Sequence, residues 1–295
     1  MPSPKKLIFL LSILLTISAE AQDYVDLFTL SYDQLQDQPY EDTVGEGSFN
    51  EIFSDVNVPV PIGKHAIITG GQYESFRLGT YPDEVLSFQS LLIKVGAQIQ
   101  IADNITGTFI LLPKYSGQNL RSETFQLGVY SLLNIKKTEH LTYRLGLYVN
   151  DDLFGPLVVP IFGLYYQKNR LEANLRLPIT ADINYQLGQK LKAGIGFQGI
   201  KKSYLMNREY DGNQYLEKAN NEVGLYLQYA LGPINLQAMG GYSVIRAFRT
   251  YAEGDQTDWT LSAIAFGDNR NQLNSDFPDG PFFKISLRYR FQIPG

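Results

Sequence analysis

The chain contains no cysteine, so neither disulfide bonds nor thiol chemistry holds or operates it. Histidine occurs only twice, at His65 and His140, which without cysteine is too little for a zinc or copper centre. Charged residues make up 19% of the 295, and their mildly acidic balance argues against nucleic acid as a partner. Beyond the first twenty residues the sequence has no run of about 18 consecutive apolar side chains, so no helix is expected to cross a bilayer. Helical periodicity is missing there as well, and no cofactor is indicated.

What the chain does have is aromatic residues and glycine, with 20 Tyr, 17 Phe and 26 Gly. It opens on Lys5 and Lys6, continues through the apolar "LIFLLSILLTIS" and reaches Ala19-Glu20-Ala21, the three regions of a secretory signal peptide. Residues 1–21 are therefore expected to be removed, leaving 22–295 as one domain. That cleavage takes away Lys5, Lys6 and Glu20, leaving 23 basic and 29 acidic side chains. No cysteine follows the cleavage site to carry a lipid anchor, so the mature protein should be exported and released.

Along the mature chain one pattern keeps returning. In "SLLIKVGAQIQI" the residues Leu91, Ile93, Val95, Ala97, Ile99 and Ile101 alternate with Lys94, Gln98 and Gln100, giving a strand with one apolar face and one largely polar face. The same alternation recurs through Phe125–Ile135, Leu141–Val149, Leu171–Leu177, Leu191–Phe197, Val223–Tyr229 and Phe283–Phe291. The opposite faces carry Arg144, Glu172, Arg176, Lys192, Lys284, Arg288 and Arg290, too much charge for a buried core.

Fourteen strands are expected, near 24–36, 47–58, 64–77, 86–101, 105–115, 123–136, 140–150, 157–167, 170–177, 179–187, 190–205, 221–230, 234–250 and 281–292. Every second link is tight, as in "PVPIG", "ADN", "KKTE", "KN", "GQ" and "LGP". The links at 37–46, 78–85, 206–220 and 251–280 are longer and more polar. Short turns at one end and long loops at the other are the arrangement of an outer-membrane barrel, with the short end in the periplasm. An even strand number places both termini at that end. Fourteen requires a tight outer hairpin at Pro178; if 170–187 is one irregular strand, twelve is the alternative. Tyr24, Tyr73, Tyr81, Tyr115, Tyr143, Tyr165, Tyr166, Tyr204, Tyr229 and Tyr289 fall near strand ends, where aromatic girdles sit.

The export signal, the repeated hairpins and a final strand "FFKISLRYRFQI" resemble a bacterial outer-membrane β-barrel protein, porin-like or one of the small barrels of unassigned role. The resemblance implies an all-β, antiparallel up-and-down transmembrane barrel in the outer membrane of a Gram-negative-type bacterium. It also implies outer-membrane lipid as surroundings and the barrel-assembly machinery as a partner during biogenesis. The "QIPG" after Phe291 departs from the terminal aromatic usual in that class.

Three chemical readings carry little. "GIGFQG" at 194–199 matches the dinucleotide fingerprint in letters, but it lies inside an alternating strand with no helix after it. His65 and His140 follow tight turns at the periplasmic rim, far from the outer leaflet where a lipid-modifying enzyme works. Loop 251–280 holds Asp255, Asp258, Asp268, Asp276 and Asp279 without the ordered spacing of a calcium loop. It reads as a solvated loop, or as one folded into the lumen.

The water-facing set by parity is Lys94, Gln98, Arg144, Glu172, Arg176, Lys192, Glu222, Lys284, Arg288 and Arg290. Its bases outnumber its acids seven to two, which in an open pore favours anions. The expected function is a passive pore or binding channel for small polar or anionic solutes, and not an enzyme. The alternative is a structural or adhesive barrel whose charges pair across a blocked lumen, with outer loops that bind a partner.

Overall fold

The computed structural model describes residues 24–39, 46–80, 84–207 and 213–292. The signal segment and Tyr81 lie outside the described residues. The strands are β1 Tyr24–Pro39, β2 Glu46–Ile62, β3 His65–Thr80, β4 Glu84–Ala102, β5 Ile105–Gly117, β6 Phe125–Thr138, β7 Leu141–Asp152 and β8 Gly155–Lys168. They continue as β9 Leu171–Leu177, β10 Thr180–Gln186, β11 Leu191–Met206, β12 Gln214–Leu231, β13 Ile234–Ala252, β14 Trp259–Leu261, β15 Ile264–Phe266 and β16 Gly280–Gln292.

Each of β1 to β12 pairs antiparallel with the next. β13 then pairs with β16, and β16 with β1 from Tyr24↔Gln292 to Leu35↔Phe282. The result is a closed, fourteen-stave, up-and-down barrel; β14 and β15 form a small extra hairpin. Pro178 does mark a tight outer hairpin, with β9 and β10 paired from Arg176↔Thr180 to Leu171↔Tyr185. Closure satisfies the backbone groups that an open edge in hydrocarbon would leave unpaired at several kcal/mol each.

The alternating pattern resolves as expected. Leu91, Ile93, Val95, Ile99 and Ile101 are exposed while Lys94 is buried, so the apolar face of β4 is the skin of the barrel. The same holds for Leu127 and Val129 beside Gln126, and for Tyr143 and Leu145 beside Arg144. An apolar exterior on a closed barrel of this kind is a lipid-facing band, and the protein is an outer-membrane β-barrel.

Three features differ from the sequence reading. Much of the expected loop 206–220 is strand, because β12 starts at Gln214; its polar side chains pair with buried partners instead of meeting water. Tyr165 and Tyr204 are buried rather than girdle residues, and Tyr24 turns inward to donate to Glu172 at 2.6 Å. Tyr73, Tyr143, Tyr229 and Tyr289 are exposed, as a girdle requires.

Candidate functional site

The interior is built from two parts, an apolar closure in the outer half and a polar compartment beneath it. The closure is a leaf made by the outer ends of three staves. β11 leaves the wall after Gln198, its last residue paired with β10, and stays paired with β12 from Gly199↔Asn221 to Met206↔Gln214. β13 parts from β16 above Ser243↔Gly280 but keeps β12 company from Ala219↔Ala247 to Gln214↔Ala252. A register shift between Ala219 and Asn221 and a positive φ of 55° at Ile245 lie at the bend.

The leaf crosses the lumen and packs on the inner faces of the opposite staves. Leu205 makes a parallel bridge to Gly117 of β5, where Gln118 N–H donates to Leu205 O at 2.9 Å. Tyr204, Met206, Leu216 and Phe248 bury against Phe49, Phe76, Leu78, Leu86 and Phe88 of β2–β4. Phe76 stacks on Phe88 at 5.1 Å and meets the edge of Tyr204 at 4.9 Å. On the other side Tyr215 and Tyr251 join Phe154, Leu157 and Val159.

Charge inside the closure is matched. Glu74 of β3 accepts from Tyr204 at 2.6 Å, from Lys202 at 2.5 Å and from Lys218 at 2.8 Å. Lys218, 1% exposed along its side chain, also bonds Glu51 and lies over the rings of Phe49 and Phe76. A buried pair of this kind holds only when every partner is present.

The ten residues expected from parity to face water lie on β4, β7, β9, β11, β12 and β16. Lys94 bonds Asp55 and, at 2.8 Å, Asn57. Gln98 stands between Ala66 and Thr108. Lys192 pairs with Glu172 at 2.9 Å, and Lys284 with Asp33 at 3.0 Å and with Glu222. Arg288 donates to Gln237 at 2.7 Å, and Arg290 clasps both oxygens of Asp26 at 2.7 and 3.0 Å. Arg144 donates to Asn134 at 3.2 Å and to Asn174.

Asp26, Asp33, Glu51, Asp55 and Glu74 were not in the parity set, so the interior is far less basic than seven to two. The irregular register of β1 between Asp26 and Phe28 hides its alternation. In β2, Pro59 and Pro61 interrupt the pattern that would have placed Asp55.

Arg144 and Arg176 share one row of the wall. Arg144 of β7 is opposite Gly163 of β8, and Gly163 is opposite Arg176 of β9. Two guanidinium groups thus flank a position with no side chain. Only glycine fits there, since a Cβ would stand 1.9 Å from the Leu175 carbonyl oxygen. Among the described residues no acceptor reaches Arg176 Nε or the neighbouring Thr180 Oγ1. On the periplasmic side the compartment is crossed by Tyr24 of β1, which bonds Glu172 of β9 while Arg290 stacks over its ring at 3.5 Å.

The last long loop covers the leaf. Arg270 donates to Tyr215 at 3.0 Å and to Glu217 at 2.8 Å, and grips Asp268 at 2.9 Å. Burial opposes its charge, but the bonds to Asp268, Tyr215 and Glu217 raise its pKa. The Arg270 hydrogen bond holds Asp268 below its ordinary value. Asp276 binds Arg249, and Asp279 caps the backbone of Ile245 and Arg246. These acids are spent on separate partners, and the loop is folded onto the leaf rather than gathered around a cation. His65 and His140 are exposed at tight turns. Gly194, in the fingerprint-like stretch, makes room for Tyr226, whose ring carbon would lie 2.5 Å from a Cβ.

Residues 117–290, more than half the chain, match the family model described as a domain of unknown function, DUF6268. The chain belongs to the DUF6268 family. That span runs from the end of β5 into β16 and includes the whole leaf, its covering loop and both arginines. No curated protein matches the chain in sequence. Among solved structures this DUF6268 barrel is similar to the NanC porin, at 10% identity over 88% of this chain and 98% of that one, with a TM-score of 0.36. It is similar also to the KdgM porin solved with oligogalacturonate, at 8% identity over 90% and 99% with a TM-score of 0.37. A third likeness is to a TodX monoaromatic hydrocarbon channel, at 10% identity over 90% and 89% with a TM-score of 0.39.

Proposed function

We propose that this barrel is an outer-membrane binding channel for small polar or anionic solutes, closed towards the outside by its own β11–β13 leaf. The observation that carries the reading is the Arg144–Gly163–Arg176 row. It sets Arg144 and Arg176 on either side of a residue without a side chain beneath the closure, and an arginine with an unfilled donor is suited to a carboxylate or phosphate. A solute anion there would supply the acceptor that Arg176 Nε lacks.

The second reading, a structural or adhesive barrel with a permanently blocked lumen and partner-binding outer loops, is favoured by the buried Glu51–Lys218–Glu74 cluster. Reversal potentials in planar bilayers separate the two. For a channel, the Arg144→Glu, Arg176→Glu chain shifts from anion towards cation preference. Current with unchanged selectivity would remove the arginines from the path. Absence of current from the folded protein, even after the leaf is loosened, would leave the sealed barrel.

A further inference from the structure

The wall is incomplete at one place. β9 and β10 have seven residues each, and at ~3.3 Å rise per residue and a tilt of roughly 40° they climb about 18 Å, against an apolar band of about 25 Å. The neighbouring β8 has fourteen residues, and β9 pairs with it only up to Phe162↔Leu177. On the far side β11 turns into the lumen just above β10, where Gly199 N–H donates to Ile179 O. A notch is left in the outer-leaflet half of the wall.

β14 and β15 descend into this notch. β14 pairs in parallel with β8 at Thr260↔Leu157 and Leu261↔Val158, and Ser262 N–H donates to Val158 O at 2.8 Å. Because β8 runs from the outside towards the periplasm, the hairpin turn points down at the β9–β10 tip. Thr260, on the inward face, is buried against Thr257. The opposite face carries Trp259, Ile264 and Phe266, which are 40, 60 and 39% exposed. Trp259 and Phe266 stack at 4.3 Å, nearly parallel. This apolar face stands in a loop otherwise rich in acids and amides, and it continues the lipid-facing surface of Val158, Pro160 and Phe162.

We infer that β14–β15 is a lipid-seated stave. It closes the lateral notch above β9–β10 by docking its Trp259–Ile264–Phe266 face into the outer leaflet at the interface, where tryptophan is favoured. Outer-leaflet lipid is the partner of this face. The free edge of β15 has no strand partner among the described residues, so the stave is held by β8 on one side and by lipid in front. On the lumen side at this level stand Phe154, Leu157 and Val159 of the closure.

Trp259 is the single tryptophan of the chain, so its fluorescence reports the seating without modification of the protein. The folded barrel is placed in bilayers whose lipids carry bromine on the acyl chain near the headgroup, and separately in unbrominated bilayers with aqueous iodide. A Trp259→Phe, Ile93→Trp chain, whose tryptophan stands on the lipid face of β4, calibrates the lipid quencher. The expected result is loss of most Trp259 emission with brominated lipid and little loss with iodide. Substantial quenching by iodide, or no quenching by brominated lipid that quenches the calibrating chain, would overturn the inference.

Discussion

The Tyr204 hydroxyl of β11 donates to Glu74 Oε1 of β3 at 2.6 Å, joining a strand that left the wall to the stave on the opposite side of the lumen. The same carboxylate holds Lys202 and Lys218. Glu74 is therefore the anchor on which the leaf is tied down. Replacing it by alanine leaves two inward lysines short of their acid, a loss of about 3–5 kcal/mol for a buried pair. Tyr204→Phe removes one hydrogen bond to a charged group, worth about 1.5–3 kcal/mol. Urea midpoints followed by gel mobility of unboiled protein should fall much further for Glu74→Ala; equal shifts would deny Glu74 its anchoring role.

Gly163→Ala tests the niche between the two arginines. Its Cβ would collide with the Leu175 carbonyl oxygen, so β8 and β9 must separate by repacking, which in a tight site costs about 1–3 kcal/mol. The expected outcome is a lower midpoint and a lower yield of the heat-modifiable folded form. A chain as stable as the parent would show that the wall yields there.

Arg270 latches the last loop to the leaf through Tyr215, Glu217 and Asp268. Arg270→Ala should make residues 251–280 open to protease on the outer face while the barrel stays folded. Protection equal to the parent's would show that Phe277, buried among the closure residues, holds the loop by itself.

The same latch has a pH dependence of definite sign. Asp268 is held below the ordinary carboxylate range by Arg270, so its contribution is present above the unfolded value of about 3.9 and is lost as pH falls through the lower folded value. Protease sensitivity of the loop is expected to rise only below about pH 4. A rise centred near neutrality would assign the latch to another group.

The wall was legible in the sequence because lipid imposes a rule on every second residue. Leu91 through Ile101 had to be apolar on one face, and the tight turns had to fall at one end. The same parity points to Lys94, Arg144 and Arg290, which are buried, so this part of the interior could be read from the sequence. The leaf could not. In β11 and β12 the outer residues face protein on both sides, and the alternation blurs in "GIKKSYLM" and "QYLEKANN". Polar letters in 206–220 signalled a loop, although Glu217 and Lys218 are paired within the closure, and 190–205, expected as a wall strand, turns inward after Gln198. The acids of β1 and β2 were missed for the related reason that a register irregularity and two prolines break the count.

Closure of a polar interior by the leaf is read out by ion current through the folded protein in planar bilayers. The parent is expected to be closed most of the time, and the Lys202→Met, Lys218→Met chain, which takes the lysine partners from Glu51 and Glu74 beneath the leaf, to show frequent openings. A steady open current from the parent, unchanged by the two substitutions, would mean that the leaf does not close the lumen.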